Sequence, residues 1–193
     1  MKTVNQIKSH YYGKNKKYQA GAVMITDIII WGGVVLGAMA FIFFLNRVAL
    51  PFIKGWQEAS AISSHMKAAA AIYSGAPSFT GLNNATVTNP NSNIIDPKYL
   101  PGGNVINNQF GGTATFGVTQ TNVTGDTMTY TDTLIPTSSC PHVANQLASD
   151  ADRITVAGTM VKAAGGVIDA NSLNDQCKSA AFVTLLVEKF KNS

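Results

Sequence analysis

Acidic side chains are missing from the first 21 positions, where Lys2, Lys8, Lys14, Lys16 and Lys17 stand unopposed. Taking these five from the 14 lysines and arginines leaves nine against ten acidic residues, so the net charge of +4 belongs to the tail and not to the body of the chain. No nucleic-acid partner is expected, because the lysines are confined to that tail and are not arranged with aromatic residues on a folded surface. Cysteine is scarce: Cys140 and Cys177, with His142 near the first, fall short of the four ligands of a structural zinc site. No Gly-x-Ser-x-Gly elbow is present, and no histidine, His65 included, sits where activation is suggested. Gly111-Gly112 has neither the lysine nor the following helix of a phosphate loop. Asp150 and Asp152 read as the solvated end of a helix, and Asn84-Ala-Thr86 and Asn122-Val-Thr124 are glycosylation tripeptides of the kind an Asn- and Thr-rich chain produces by chance. No catalytic residue, cofactor or metal is therefore expected, and a structural role gains ground.

What the chain does have is one long apolar run. From Ile28 to Leu45 no charge interrupts it, and roughly 18 such residues are about what a helix needs to cross a bilayer core. The basic flank before it keeps residues 1–21 in the cytoplasm and sends the remainder outward. A cleaved secretory signal has its small residues after the apolar stretch; here Ala20 and Gly21 precede it. Cutting after Gly21 keeps the hydrophobic helix.

Lys16, Lys17, Gly21 and the apolar Ala22, Val23, Met24 and Ile25 resemble the start of a type IV prepilin. The resemblance implies that a prepilin peptidase cuts between Gly21 and Ala22, that the new N-terminus is methylated, and that the exposed helix is the element of assembly. One residue departs from the pattern. The fifth position after the cut, usually glutamate in that family, is Thr26, with Asp27 following, which turns the carboxylate about 100° around the helix. Asp27 thus becomes the candidate partner of the Ala22 amine, with Thr26 assisting.

Beyond the run, Phe52, Trp56, Ala59, Ile62, Met66, Ala69 and Tyr73 recur at spacings of three and four and predict one buried helix face, with Ser60, Ser63, Ser64 and Lys67 turned away. Pro51 cannot bond back to Arg47 and predicts a kink. Gly32, Gly33 and Gly37 lower helix propensity in water but permit close packing among apolar helices. Residues 74–103, rich in Gly, Pro and Asn, read as irregular. Thr113–Val118 and Thr127–Leu134 alternate apolar with polar and predict a hairpin turning at Thr124, Gly125 and Asp126. A short helix is expected from Pro141 with Ser138 or Ser139 as cap, a strand at Ile154–Val156, another helix at Asp169–Lys178, and a final central strand, apolar on both faces, from Ala181 to Phe190.

The order IYSG, IIDPKYLPGG, INNQFGGTATFGV is similar to the loop and first strand of type IVb pilins. The resemblance implies an α+β fold: a long N-terminal α-helix, transmembrane in its first half and amphipathic in its second, packed on an antiparallel β-sheet. It also implies a C-terminal region closed by a Cys140–Cys177 disulfide, in keeping with the oxidising compartment outside the membrane. The boundaries expected are a leader over 1–21, a transmembrane or filament-core helix over 22–50, an amphipathic helix over 51–75 and a globular domain over 76–193. As a function it implies a subunit that waits in the inner membrane and polymerises through its N-terminal helix into an extracellular filament for adhesion, aggregation or conjugative mating. The partners implied are copies of itself, the peptidase and the assembly machinery. Two alternatives stand beside it: a minor pilin or secretion pseudopilin, and a membrane-anchored periplasmic binding domain that never assembles.

Overall fold

A computed structural model describes the backbone of residues 16–191, and the side chains from residue 25 onward. The leader thus lies largely outside the described residues. The described chain forms two compact units that divide between Val48 and Ala49. The first unit is helix α1, Lys16–Phe44. The second carries helix α2, Leu50–Ile72, and the sheet.

Between α1 and α2 the backbone widens into a π-helical turn at Leu45–Ala49. The irregularity expected at Pro51 therefore lies just ahead of it. Pro51 occupies the first turn of α2, where a missing N–H costs least, and the turn before it absorbs the misfit. At its other end α2 stops at Tyr73, whose carbonyl accepts from Lys191 Nζ, as does that of Ser74 at 3.5 Å. The C-terminal lysine thus sits at the negative end of the helix dipole.

The buried face of α2 differs from the predicted stripe at its N-terminal end. Ala59, Ile62, Met66 and Ala69 are buried as expected, but Phe52 and Trp56 are each 53% exposed, and Gly55, Glu58, Ala61 and His65 are buried instead. Close packing on helix α4, Cys140–Leu147, is the reason. A Cβ on Gly55 would stand 3.2 Å from His142 Cβ and 3.3 Å from Ser139 O, so a small residue takes the tightest point against α4, while Phe52 meets only the rim of that contact, edge-on to the His142 ring at 4.9 Å, and Trp56 is turned aside. Ser139 occupies the cap position of α4 but does not cap it; its hydroxyl donates to Pro51 O at 2.9 Å and ties the two helix starts together.

The sheet has six antiparallel strands: β1 Ile106–Asn107, β2 Thr113–Thr119, β3 Thr127–Pro136, β4 Arg153–Val156, β5 Thr159–Lys162 and β6 Phe182–Phe190, in the order β1-β2-β3-β6-β4-β5. The predicted hairpin is β2–β3, with Phe116 opposite Tyr130. Its loop is held by Asp126, whose carboxylate accepts from the amides of Thr121, Asn122 and Val123; these bonds hold its pKa well below the usual carboxylate range.

Two strand expectations change. In β3 the alternation breaks at a bulge between Asp132 and Ile135, so Leu134, predicted inward, is 48% exposed and Ile135 is fully buried in its place. Strand β6 is central, between β3 and β4, but not apolar on both faces in its setting: Val183, Leu185 and Val187 are buried, while Phe182 and Thr184 are exposed.

The core lies between the inward face of the sheet and the helices, and includes Ile62, Ile106, Met128, Tyr130, Leu147, Ile154 and Leu185. Burying a side chain such as Ile62 contributes about 2 to 3 kcal/mol. Helix α3, Asn84–Val87, and the 3-10 turn Pro97–Tyr99 are single turns in the otherwise irregular connection from α2 to β1. Helix α5, Ala170–Cys177, begins at Asp169, whose carboxylate accepts from the amides of Asn171 and Ser172. Cys140 and Cys177 are both buried and disulfide-bonded, with Cα atoms 5.7 Å apart, so the start of α4 is fastened to the end of α5.

Asp150 and Asp152 are not a solvated helix end. Asp150 accepts from Ser63 Oγ and from Lys67 Nζ (2.9 Å), both on α2. These two donors lower its pKa, the serine first. Asp152 accepts from the Phe190 amide at 2.7 Å and pairs with Lys189 at 3.4 Å. Each carboxylate joins a turn to a distant element, which sequence proximity does not reveal.

Candidate functional site

Helix α1 holds the predicted assembly residues. From Ile25 to Phe44 every side chain is exposed, among them Ile28 at 71%, Trp31 at 69% and Leu36 at 69%. The continuous helical stretch Ile25–Ile72 includes an 18-residue window with mean hydropathy 2.5, none of it buried within the chain, which is long and apolar enough to cross a membrane. Gly32, Gly33 and Gly37 leave open notches along it, with nothing within 4 Å of a Cβ built on any of them. A helix apolar all round is stable only where something other than water surrounds it.

Gly21 and Ala22 lie in the opening turns of α1, and their side chains are outside the described residues. Thr26 and Asp27 are adjacent on the helix and exposed. The structure therefore places Thr26 and Asp27 at the start of the apolar surface, in the first unit, and Cys140 and Cys177 together in the second.

A second constellation, which sequence reasoning did not single out, lies beneath α2. Glu58 is 1% exposed and Asp132 not at all. The two carboxyls stand close enough for each to act on the other's ionisation. Glu58 Oε2 accepts from the Gln109 amide at 2.7 Å, and Asp132 Oδ1 from Asn108 Nδ2 at 2.7 Å. Asn108 also accepts, through Oδ1, from the amides of Phe110 and Gly112 at 2.9 and 2.7 Å. The NNQFGG segment thus serves this pair: its asparagine and glutamine hold the two acids. Gly112 is required because a Cβ there would collide with Thr133 O and with Asn108 Nδ2.

Burial drives both acids toward the neutral form. Glu58 rises to about 6, chiefly by desolvation and against the pull of the Gln109 amide; Asp132 rises to about 8 by desolvation and then by the neighbouring Glu58. His65, 3% exposed and in edge-to-face contact with Tyr99 (5.1 Å), falls to about 4 by desolvation. A signal for Asp132 was present in the sequence, since it follows Met128 and Tyr130 at the inward period of two. Glu58 likewise stands next to Ala59 on the buried helix face.

An open cleft of about 370 Å³ runs beside α2, lined by Trp56, Ser60, Ser64, His65, Lys98 and Tyr99 among others. It brings together no nucleophile with an activating base. Among the described residues no group of three or more His, Cys, Asp or Glu is arranged to hold a metal.

No curated protein matches the chain. The family model described as PilS N terminal matches residues 56–188, from Trp56 on α2 to Glu188 on β6, a stretch that contains strands β1 to β5, most of β6, the carboxyl pair and both cysteines. With a long N-terminal helix, its α2 part packed on a six-stranded antiparallel sheet, and a disulfide in the C-terminal region, the chain belongs to the PilS family and is a type IV pilin-like protein.

Proposed function

We propose that the chain is a structural subunit of a type IVb pilus. It is held in the inner membrane by α1, processed by prepilin peptidase between Gly21 and Ala22, and polymerised through α1 into an extracellular filament for adhesion, aggregation or conjugative mating. The observation that carries the reading is the complete exposure of an apolar helix alongside a folded domain of the PilS family. Such a helix can exchange lipid for identical neighbours while its domain stays in water. The role is structural and not catalytic, and its partners are copies of the same chain, the peptidase and the assembly machinery.

Asp27 stands in this reading for the usual carboxylate. A carboxylate in an apolar helix costs about 2.5 to 3.5 kcal/mol on insertion scales, so pairing with the Ala22 amine of its own or an adjacent subunit gives it a reason to be there, and Thr26 adds a hydroxyl. The minor-pilin or pseudopilin reading draws on one observation, the threonine at position 26.

Mass spectrometry of the N-terminus in sheared extracellular material is the direct test. A chain beginning at Ala22 in that fraction supports the reading; full-length chain confined to the membrane overturns it and favours the non-assembling anchored domain. Asp27→Ala is expected to leave processed subunit in the membrane with few or no filaments. Wild-type filament yield from it would reduce Asp27 to an interfacial residue.

A further inference from the structure

We propose that the Glu58–Asp132 contact is a proton-operated latch that fastens helix α2 to strand β3, closed while the two carboxyls share a proton and loosened when that proton leaves. The geometry comes first. One acid is supplied by the helix and the other by the strand, and both are withdrawn from water. Asp132 Oδ2 makes no hydrogen bond to a donor, whereas Asp132 Oδ1 and Glu58 Oε2 each accept one, and the Thr133 amide pulls Asp132 weakly toward its ionised form. Two ionised carboxylates that adjoin in a buried site repel each other. A proton on Asp132 donated to Glu58 turns the same contact into a hydrogen bond.

The other titratable groups around the pair do not offer a cation to replace that proton. On the same helix stands His65, kept neutral by burial. Tyr130 on β3 is buried, its phenol raised well above its ordinary value by desolvation, then by the charges of Asp132 and Glu58. Tyr99, on the 3-10 turn Pro97–Tyr99, spends its hydroxyl accepting from Gln109 Nε2 at 3.1 Å. Lys98, on that turn, pairs with Asp96 at 3.3 Å, and both side chains are more than half exposed. The pair is left with the Asn108, Gln109 and Thr133 donors and one proton.

The direction of the effect follows. Both acids have folded-state values above their ordinary ones, near 6 and 8 against 4.5 and 3.8. The folded chain therefore binds more protons than the unfolded chain between those limits. Stability is full below about pH 4, declines as pH rises through the folded values, and levels off above about pH 8. His65 acts in the opposite direction, but only below its ordinary value of 6.5, so the window from about pH 6.5 to 9 reads the pair without it. The PilS domain fold is all the latch requires; it does not depend on assembly or on processing at Gly21.

The test uses the full chain in detergent micelles. Its thermal midpoint is expected to fall by about 5 °C or more between pH 6.5 and 9. In Asp132→Asn the amide donates permanently to Glu58 and still accepts from Asn108, and the midpoint is expected to stay level over that range. Glu58→Gln offers the same replacement from the helix side and should also flatten the profile. Parallel slopes in wild type and both variants would overturn the latch. Difference infrared spectroscopy of the wild-type chain gives a reading that needs no variant to fold: a protonated-carboxyl C=O band that persists at pH 7 and fades toward pH 9 supports the latch. Its absence at pH 7 overturns it.

Discussion

Helices α1 and α2 follow one another in the chain with only a π turn between them, yet they answer to different environments. In α1 every described side chain is exposed within the chain, so its apolar character has no intramolecular purpose. In α2 one face is closed by small residues against α4, by Ile62 and Met66 against the core, and by Glu58 against Asp132, while Ile53 and Trp56 remain outside and Phe52 lies half exposed against His142. The contrast teaches that hydrophobicity alone does not say what a helix packs on. For α1 the partner must come from outside the chain, whereas for α2 the sheet and α4 select which residues are covered.

The disulfide gives the sharpest way to separate the two units. Cys140→Ser or Cys177→Ser opens a loop with a sequence separation of 37, worth about 4 kcal/mol in the chain-entropy model. Denaturant unfolding should show a loss of that order in the domain, with membrane retention through α1 unchanged. Next, Ile62→Ala on α2 is expected to cost the domain about 3 kcal/mol, while Ile29→Ala on α1 should leave the same unfolding curve within about 0.5 kcal/mol. Equal effects from the two would erase the comparison.

A charge probes it from the other side. Leu36→Arg places a cation in the middle of the apolar run and is expected to cost about 2.5 to 3.5 kcal/mol on insertion scales, read as loss from the membrane fraction. Ser60→Arg, on the exposed face of α2, should change neither insertion nor domain stability appreciably.

Acid offers a further test of how closely α2 is covered. His65 has a folded value near 4 against an ordinary 6.5, so its neutral form stabilises the domain fully above about pH 6.5, and that contribution is lost as pH falls toward 4. Thermal unfolding of His65→Gln from pH 7 to 4 should show a shallower acid decline than wild type. The smallest effect belongs to Leu134, which has φ +56° and is half exposed at the bulge of β3. Leu134→Gly removes the left-handed strain of a residue with a Cβ and is expected to raise domain stability by up to about 1 kcal/mol.

Much of the site and fold was legible because it rests on local pattern. The unbroken apolar run needs no tertiary partner to be recognised, and alternation around Phe116 and Tyr130 marks a hairpin whichever sheet receives it. The elements that escaped depended on neighbours distant in sequence. Strand β5 was missed, although Ala157 and Gly158, both with positive φ, make the tight turn from β4; an alanine in that conformation carries no turn signature. Phe52 and Trp56 satisfied the helical period but lost the buried face to Gly55, because only α4 defines which side is crowded. Asp150 and Asp152 looked solvated until Ser63, Lys67, Lys189 and the Phe190 amide were brought to them.

The sequence by itself determined that α1 is apolar on all sides, that basic charge lies before it, and that an α+β domain with two cysteines follows, because composition and short-range periodicity record solvent preference residue by residue. Only the tertiary structure decided that Glu58 and Asp132 meet, 74 positions apart by 132 − 58, that Asn108 and Gln109 serve them, and that the last strand enters between β3 and β4. A buried acid is tolerable only where a donor or a proton is delivered to it, and the folded chain alone makes that delivery.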